Sequence, residues 1–291
     1  MHIPPSLKPL LPACIGSILI GSSAIFVRLS ELGPITTGFY RMLFALPLLA
    51  LWVRWERKEG HISHIFPMKG MIGLSLAGLF FALDLATWNW SIDHTTIVNS
   101  TLFNNTAAFF VPFIMWALFR EKQSLSFIIA AIIGFLGCFL LIGESCTISV
   151  QNLVGDMVAL GSGVMVALYL IALHQIREGV STGLLMLWTG FFSCMYLAFF
   201  AYILGESFWP LTFMDLISLL GQAILVHTIG QSFLAYSLGK ISASITALIL
   251  FLAPVTGALL GWLIYAESLS YLKICGMILI MASIMAVRKK T

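Results

Sequence analysis

Residues 243–265 read ASITALILFLAPVTGALLGWLIY, without a charged side chain from end to end. At 1.5 Å rise per residue, a helix of that length covers the roughly 30 Å of hydrocarbon in a bilayer. The stretch lacks strand-like alternation, and lipid leaves only helices and closed barrels as spanning structures, so it reads as a transmembrane helix. Working outward, nine more stretches have the same character: 10–27, 36–53, 70–90, 97–119, 125–143, 154–173, 183–204, 216–238 and 271–287. Charged residues make up 9% of the 291 and hydrophobic residues 60%, with a mean hydropathy of +1.01. A soluble fold would carry roughly a quarter charged residues. The expected class is all-α, a polytopic membrane protein of ten transmembrane helices.

The basic residues set an expected sidedness. With the N-terminus inside, Lys8, Arg54, Arg57, Lys58, Lys69, Arg120, Lys122, Arg177, Lys240, Arg288, Lys289 and Lys290 are cytoplasmic, which is 12 of the 15 Lys and Arg. Arg28 and Lys273 fall on outer connections and Arg41 lies inside the second span. Such a bias places both termini in the cytoplasm, and a bacterial inner (plasma) membrane is the expected location. The net charge of +3 therefore belongs to one membrane face and is no argument for a nucleic-acid partner. Pro4, Pro5, Pro9 and Pro12 discourage helix before the first span, which is too long for the apolar core of a cleaved signal. Four of five cysteines lie in spans, leaving Cys146 in an outer loop, and no CxxC spacing supports a disulfide framework or a zinc site. His61 and His64, on a cytoplasmic loop without acidic or thiol neighbours at ligand spacing, make weak metal candidates, so no metal and no cofactor is expected.

The chain is written twice. An offset of 146 pairs Trp116 with Trp262, Glu121 with Glu267 and Ser91 with Ser237, and an offset of 145 pairs Thr37-Gly38 with Thr182-Gly183. Five spans in each half make an odd number, so the second copy (151–291) enters the membrane upside down relative to the first (1–150). Inverted repeats of this kind are a transporter signature, with substrate held near the midplane. The run Tyr236-Ser-Leu-Gly-Lys-Ile-Ser-Ala-Ser-Ile-Thr-Ala-Leu-Ile-Leu-Phe-Leu-Ala-Pro254 through Glu267-Ser-Leu-Ser270 resembles the second EamA repeat of the drug/metabolite transporter superfamily. In the first half Ala108 stands opposite Pro254, Pro112 follows one turn later, and Asn104-Asn105-Thr106 replaces an apolar stretch. The resemblance implies a ten-helix carrier, its cavity lined by helices one to four and six to nine, with helices five and ten bracing the outside.

Ionisable groups inside spans are costly and mark pathways or relays. Arg41, five residues from the outer end of its span, and Asp84, six from the outer end of its own, sit about 8–9 Å deep. Asn104 and Asn105 reach a similar level. These four are grouped around one outward-side cavity, with Tyr40 beside Arg41 and Trp88 on the face of Asp84. A structural ion pair with interhelical amide bonds is the plainer reading of the same residues, and Trp88 and Trp90 also sit where an aromatic belt would place them. In the second half His227 lies close to the midplane with Gln231 one turn on. Asp84 and His227 are the deep titrating groups available for proton coupling. Tyr169 and His174 are read at the inner interface. Ala253, Gly257 and Gly261 share one face and read as a helix-packing stripe, with Pro254 bending the span. Glu121 and Glu267, at span ends, read as anchors.

These features describe a secondary transporter, expected to export a small amphipathic metabolite such as an amino acid by alternating access. No Walker A sequence is present, so the drive falls to a proton or a counter-solute. A phosphate- or nucleotide-sugar-type antiporter is the nearest alternative, although such cargo calls for clustered cations and the spans supply only Arg41. From another class, a channel or a membrane-embedded enzyme is the rival, but HExxH, GxSxG and paired intramembrane Asp are all absent, so no enzyme activity is expected. The oligomeric state is open.

Overall fold

The computed structural model describes residues 10–58, 68–143, 150–177, 180–209, 211–266 and 268–288. Cys146, His61, His64, Glu267, and among the basic residues Lys8, Lys289 and Lys290, lie outside these. All regular structure among the described residues is helical, and it follows the apolar stretches. The first span is α1 (Leu10–Gly21) and α2 (Ser23–Leu29), followed by α3 (Pro34–Lys58) and α4 (Met68–His94). The fourth span is α5 (Ile97–Asn104) and α6 (Ala107–Phe119); then come α7 (Leu125–Gly143), α8 (Leu153–Ile176) and α9 (Thr182–Ile203). The eighth span combines α10 (Phe213–Gly221), a π-helical stretch (Gln222–Gln231) and α11 (Ser232–Leu238). The ninth is α12 (Ala243–Ile249) with α13 (Leu252–Tyr265), and the tenth is α14 (Tyr271–Arg288). Eight of these spans are long and apolar enough to cross a membrane, and the apolar parts of α7 and α14 (Leu125–Leu141 and Tyr271–Ala286) are shorter. The protein is an all-helical, polytopic membrane protein.

Packing follows membrane rules, in which small residues let backbones approach. The crossing of α7 and α14 is reciprocal: a Cβ on Gly137 would lie 2.8 Å from the Gly276 carbonyl oxygen, and a Cβ on Gly276 would lie 2.5 Å from that of Gly137. The other faces of this pair carry exposed Leu136 and Ile278, as expected where the solvent is lipid.

The fourth and ninth spans break in the same way, 145 residues apart. Thr96 caps α5 by accepting from the Asn99 N–H at 3.0 Å, and Ser242 caps α12 by accepting from the Ile245 N–H at 3.3 Å. At the first break the Thr106 N–H donates to Phe103 O (3.1 Å) and the Ala108 N–H to Asn105 O (3.2 Å); at the second, Phe251 donates to Leu248 O (3.2 Å) and Ala253 to Leu250 O (2.9 Å). These are tighter three-residue bonds in place of the α-helical ladder. Both spans end on a left-handed residue, Arg120 (φ 60°) and Ala266 (φ 51°). A glycine also approaches each span near its break: Gly163 of α8, whose Cβ would lie 2.8 Å from Phe103 O at the first, and Gly21 of α1, whose Cβ would lie 2.9 Å from the Ala253 Cα, two residues past the second.

Pro254 lies at the middle of the ninth span, just after its break. It falls in the first turn of α13, where a missing N–H costs little, and the break just before it recurs at Thr106 with no proline. In the first copy side chains take up the loosened carbonyls: Asn105 Nδ2 donates to Thr101 O at 2.7 Å, and Thr106 Oγ1 donates to Phe103 O.

The two ends of the bundle are tied differently. At one end acids collect backbone donors. Glu206 accepts from the N–H groups of Ile35 (3.2 Å) and Thr36 (2.7 Å) at the start of α3. Asp215 completes a capping box with Thr212 and accepts from the Glu31 N–H at 2.9 Å. At the opposite end Glu56, near the C-terminus of α3, accepts from Gly183 N at 3.2 Å, so α3 and α9 run antiparallel and each start is capped by an acid from the other's end. Arg177 adds bonds to Ala235 O at 3.1 Å and Thr182 Oγ1 at 2.7 Å. Burial lowers its guanidinium pKa from the ordinary value, with Glu56 acting in the opposite direction. His174 Nδ1 bonds Leu238 O at 3.0 Å.

Candidate substrate site

A cavity of about 250 Å³ lies among α1–α2, α3, α4, α5–α6, α8, the end of the π-helical stretch, α11 and α12–α13. Its polar side is assembled from separate helices because each contributes one polar residue to an otherwise apolar face. Arg41 comes from the N-terminal part of α3, Asp84 from the C-terminal part of α4, Asn104 from the end of α5 and Gln231 from the end of the π-helical stretch. Three of these residues are almost wholly enclosed, Arg41 at 4% exposure and Asp84 and Gln231 at 8%.

Asn104 organises the acid. Its Nδ2 donates to Asp84 Oδ1 at 3.0 Å and to Ser162 Oγ at 2.9 Å, so both amide protons are used. Ser162 in turn donates to the Ala159 carbonyl at 2.7 Å, which fixes the rotamer of the hydroxyl that receives the amide. Arg41 is arranged otherwise. Its guanidinium carbon lies 5.8 Å from the Phe81 ring centroid, a cation–π distance, and its Nε has no hydrogen-bond partner. Among the described residues Arg41 and Asp84 form no contact ion pair, although both face the cavity. Two further polar atoms of the wall, Tyr169 Oη and Gln231 Oε1, are buried without a partner.

Phe81 forms the floor. Its ring stacks on Tyr169 at 4.6 Å between centroids and on His227 at 5.4 Å. Of the residues expected from sequence, Arg41, Asp84, Trp88, Asn104, Asn105 and Gln231 meet at this cavity. Tyr40 and His227 do not. Adjacent helical residues project about 100° apart, so with Arg41 facing inward Tyr40 turns away, and its hydroxyl donates to Phe208 O at 2.9 Å. His227 has the anticipated depth, at 1% exposure, but the Phe81 ring covers it and neither ring nitrogen has a partner.

Tyr169 is a correction in the opposite sense. Read as interfacial from sequence, it is buried in the cavity wall, because α8 continues to Ile176 and leaves Tyr169 two turns short of its end. The expected packing stripe also belongs to the wall: Ala253, Pro254, Gly257 and Gly261 all line the cavity. A Cβ on Gly257 would meet nothing closer than the Gly21 carbonyl oxygen at 3.7 Å, so the close approach in this region rests on Gly21. The wall differs from the resemblance's layout in a second way. α9 supplies none of it, being packed against another face of α4, where Ser193 Oγ donates to Gly78 O at 2.9 Å. Leu141 of α7 and Lys273 of α14 do reach it.

Comparisons with known proteins agree with this picture. The model of the EamA-like transporter family matches residues 7–143 and again residues 153–288. An uncharacterized transporter of Archaeoglobus fulgidus is 24% identical over 278 residues, covering 92% of each chain. A crystal structure of a protein 14% identical in sequence superposes with a TM-score of 0.80, covering 97% of this chain and 96% of its own, and so shares the fold. With the family model covering nearly the whole chain, this protein belongs to the EamA-like transporter family and is a membrane transporter rather than an enzyme.

Proposed function

We propose that the protein is a secondary transporter that exports a small zwitterionic metabolite, such as an amino acid, by alternating access between two inverted halves. One observation carries the reading: Arg41 and Asp84 face one small cavity without pairing to each other, beside the unpartnered polar atoms of Tyr169 and Gln231. Buried polar groups are nearly always satisfied, and opposite charges held apart suit a ligand that carries both signs. The carboxylate belongs at Arg41 and the ammonium at Asp84. The inverted arrangement is supported by the double family match and by five apolar spans in each matched region, an odd number that reverses the second copy. The bias of basic residues supports cytoplasmic termini in a bacterial inner membrane.

Proton coupling, if the drive is a proton, falls to Asp84, which opens on the cavity, before His227, which lies behind Phe81. A cavity near 250 Å³ is below the roughly 300–1,000 Å³ of drug-sized sites, which favours a single small metabolite over a nucleotide sugar.

Purified protein in liposomes tests the proposal. Counterflow exchange of amino acids is the expected result, together with a raised melting temperature on their addition. Stabilisation by sugar phosphates alone would replace this reading with the antiporter one, and flux without saturation would mark a pore. Uptake driven by a pH gradient that is unchanged in Asp84→Asn would remove Asp84 from the coupling role.

A further inference from the structure

The cavity is not uniformly polar. Besides Arg41 and Asp84, its wall includes the small residues Gly21, Ala253, Gly257, Ala258 and Gly261, together with Lys273. Small residues on facing helices usually mean backbone contact, and at Gly21 they do, since an added Cβ would lie 2.9 Å from the Ala253 Cα. At Gly257 the contact is looser: an added Cβ would lie at an ordinary van der Waals distance, 3.7 Å, from the Gly21 carbonyl oxygen, with nothing closer. A small side chain is therefore admitted without a clash, and Gly257 lines the cavity that holds the polar groups. Arg41 at 4% and Gln231 at 8% exposure line the same cavity, and their Nε and Oε1 lack any partner. Polar side chains and a wall of small apolar residues thus share one cavity.

We propose that Gly257 sets the size limit for the apolar portion of the substrate, which lies along the Gly257–Gly261 face while the charged head is held by Arg41, Asp84 and Asn104. This rests on the zwitterion reading above and adds which end of the substrate goes where. Ligands with a short apolar group fill only the polar end; an unbranched chain of several carbons runs past Gly257 toward Gly261. A methyl group at residue 257 begins to narrow the cavity along this face without a backbone clash, and a branched side chain closes it.

The test uses the full chain in nanodiscs and a graded set of probes: alanine, 2-aminobutyrate, norvaline and norleucine. Melting-temperature shift and binding by calorimetry are measured for the wild type, Gly257→Ala and Gly257→Val. Both variants should fold with melting temperatures near that of the wild type. Their affinity should fall increasingly with chain length, with Gly257→Val losing at least tenfold more for norleucine than for alanine. Gly137→Ala, at the α7–α14 crossing and outside the cavity wall, serves as the contrast, expected to lower the melting temperature without altering the rank order of probes. An equal loss for all four probes, or none, in Gly257→Val overturns the assignment of Gly257 while leaving the head-group reading intact. Failure of every probe to bind the wild type overturns the zwitterion reading and this inference with it.

Discussion

The broken spans α5–α6 and α12–α13 share a backbone and divide the chemistry between them. Each begins on a hydroxyl cap, breaks at the same point and ends on a left-handed residue, at offsets of 145 or 146 residues. The first break carries Asn104, Asn105 and Thr106, whose side chains satisfy its loosened carbonyls and hold Asp84. The second carries Ile249, Leu250 and Phe251 at the equivalent positions, follows them with Pro254, and gives Gly257 and Gly261 to the cavity wall. The comparison teaches that a backbone device can be kept while its side chains are reassigned. On the proposed reading, one copy serves the charged end of a ligand and the other its apolar end.

The most severe way to break that division is to remove the acid. Asp84→Asn leaves the buried Arg41 cation without this acid on the cavity they both face and takes from Asn104 Nδ2 its charged acceptor, and a hydrogen bond to a charged group contributes about 1.5–3 kcal/mol. Folded yield should drop sharply, and the double change Arg41→Gln with Asp84→Asn should recover yield but not amino-acid transport. Recovery of both would make the two charges purely structural.

Giving the first break the apolar chemistry of the second is the next test. Asn104→Leu removes the donor to the Asp84 carboxylate; hydrogen bonds to charged groups contribute about 1.5–3 kcal/mol. Norleucine binding should weaken by roughly tenfold to a hundredfold, measured by calorimetry, with the fold retained. Unchanged binding would detach Asn104 from the site.

The equivalence of the two backbones is tested at the glycines that approach them. Gly21→Ala and Gly163→Ala each force a methyl group into a closed contact, and overpacking typically costs about 1–3 kcal/mol. The two should lower the melting temperature by similar amounts, whereas a large drop in one alone would show that the breaks are held differently. The smallest effect is expected at Pro254. Because the same break forms at Thr106 without proline, Pro254→Ala should change stability by no more than about 1 kcal/mol. A collapse of folded yield would make the proline the cause of the break.

The ten spans were legible because lipid demands long apolar runs, and their positions in the fold match that reading to within a few residues at most ends. The breaks at Ser22, Asn105–Thr106 and Leu250–Phe251, and the π-helical stretch at Gln222–Gln231, were not, since apolar composition is the same on either side of each. At the site, depth was readable from residue counting, and it brought Arg41, Asp84 and Asn104 together. Direction was not. His227 is deep but covered by Phe81, a partner from another helix that no local pattern announces, and Tyr40 loses its place to its neighbour. Gly257 illustrates the same limit from the apolar side, because spacing alone does not tell a glycine in closed backbone contact from one that admits a small side chain. Tyr169 could have been found: a helix continuing past residue 173 moves it inward by a turn.

The division of labour between the two breaks is tested most directly by a structure of the protein with norleucine bound. The expected result places the carboxylate within hydrogen-bond distance of Arg41, the ammonium on Asp84, and the alkyl chain in van der Waals contact with Gly257. A chain lying against Asn104 and Asn105, or a ligand outside this cavity altogether, would contradict it.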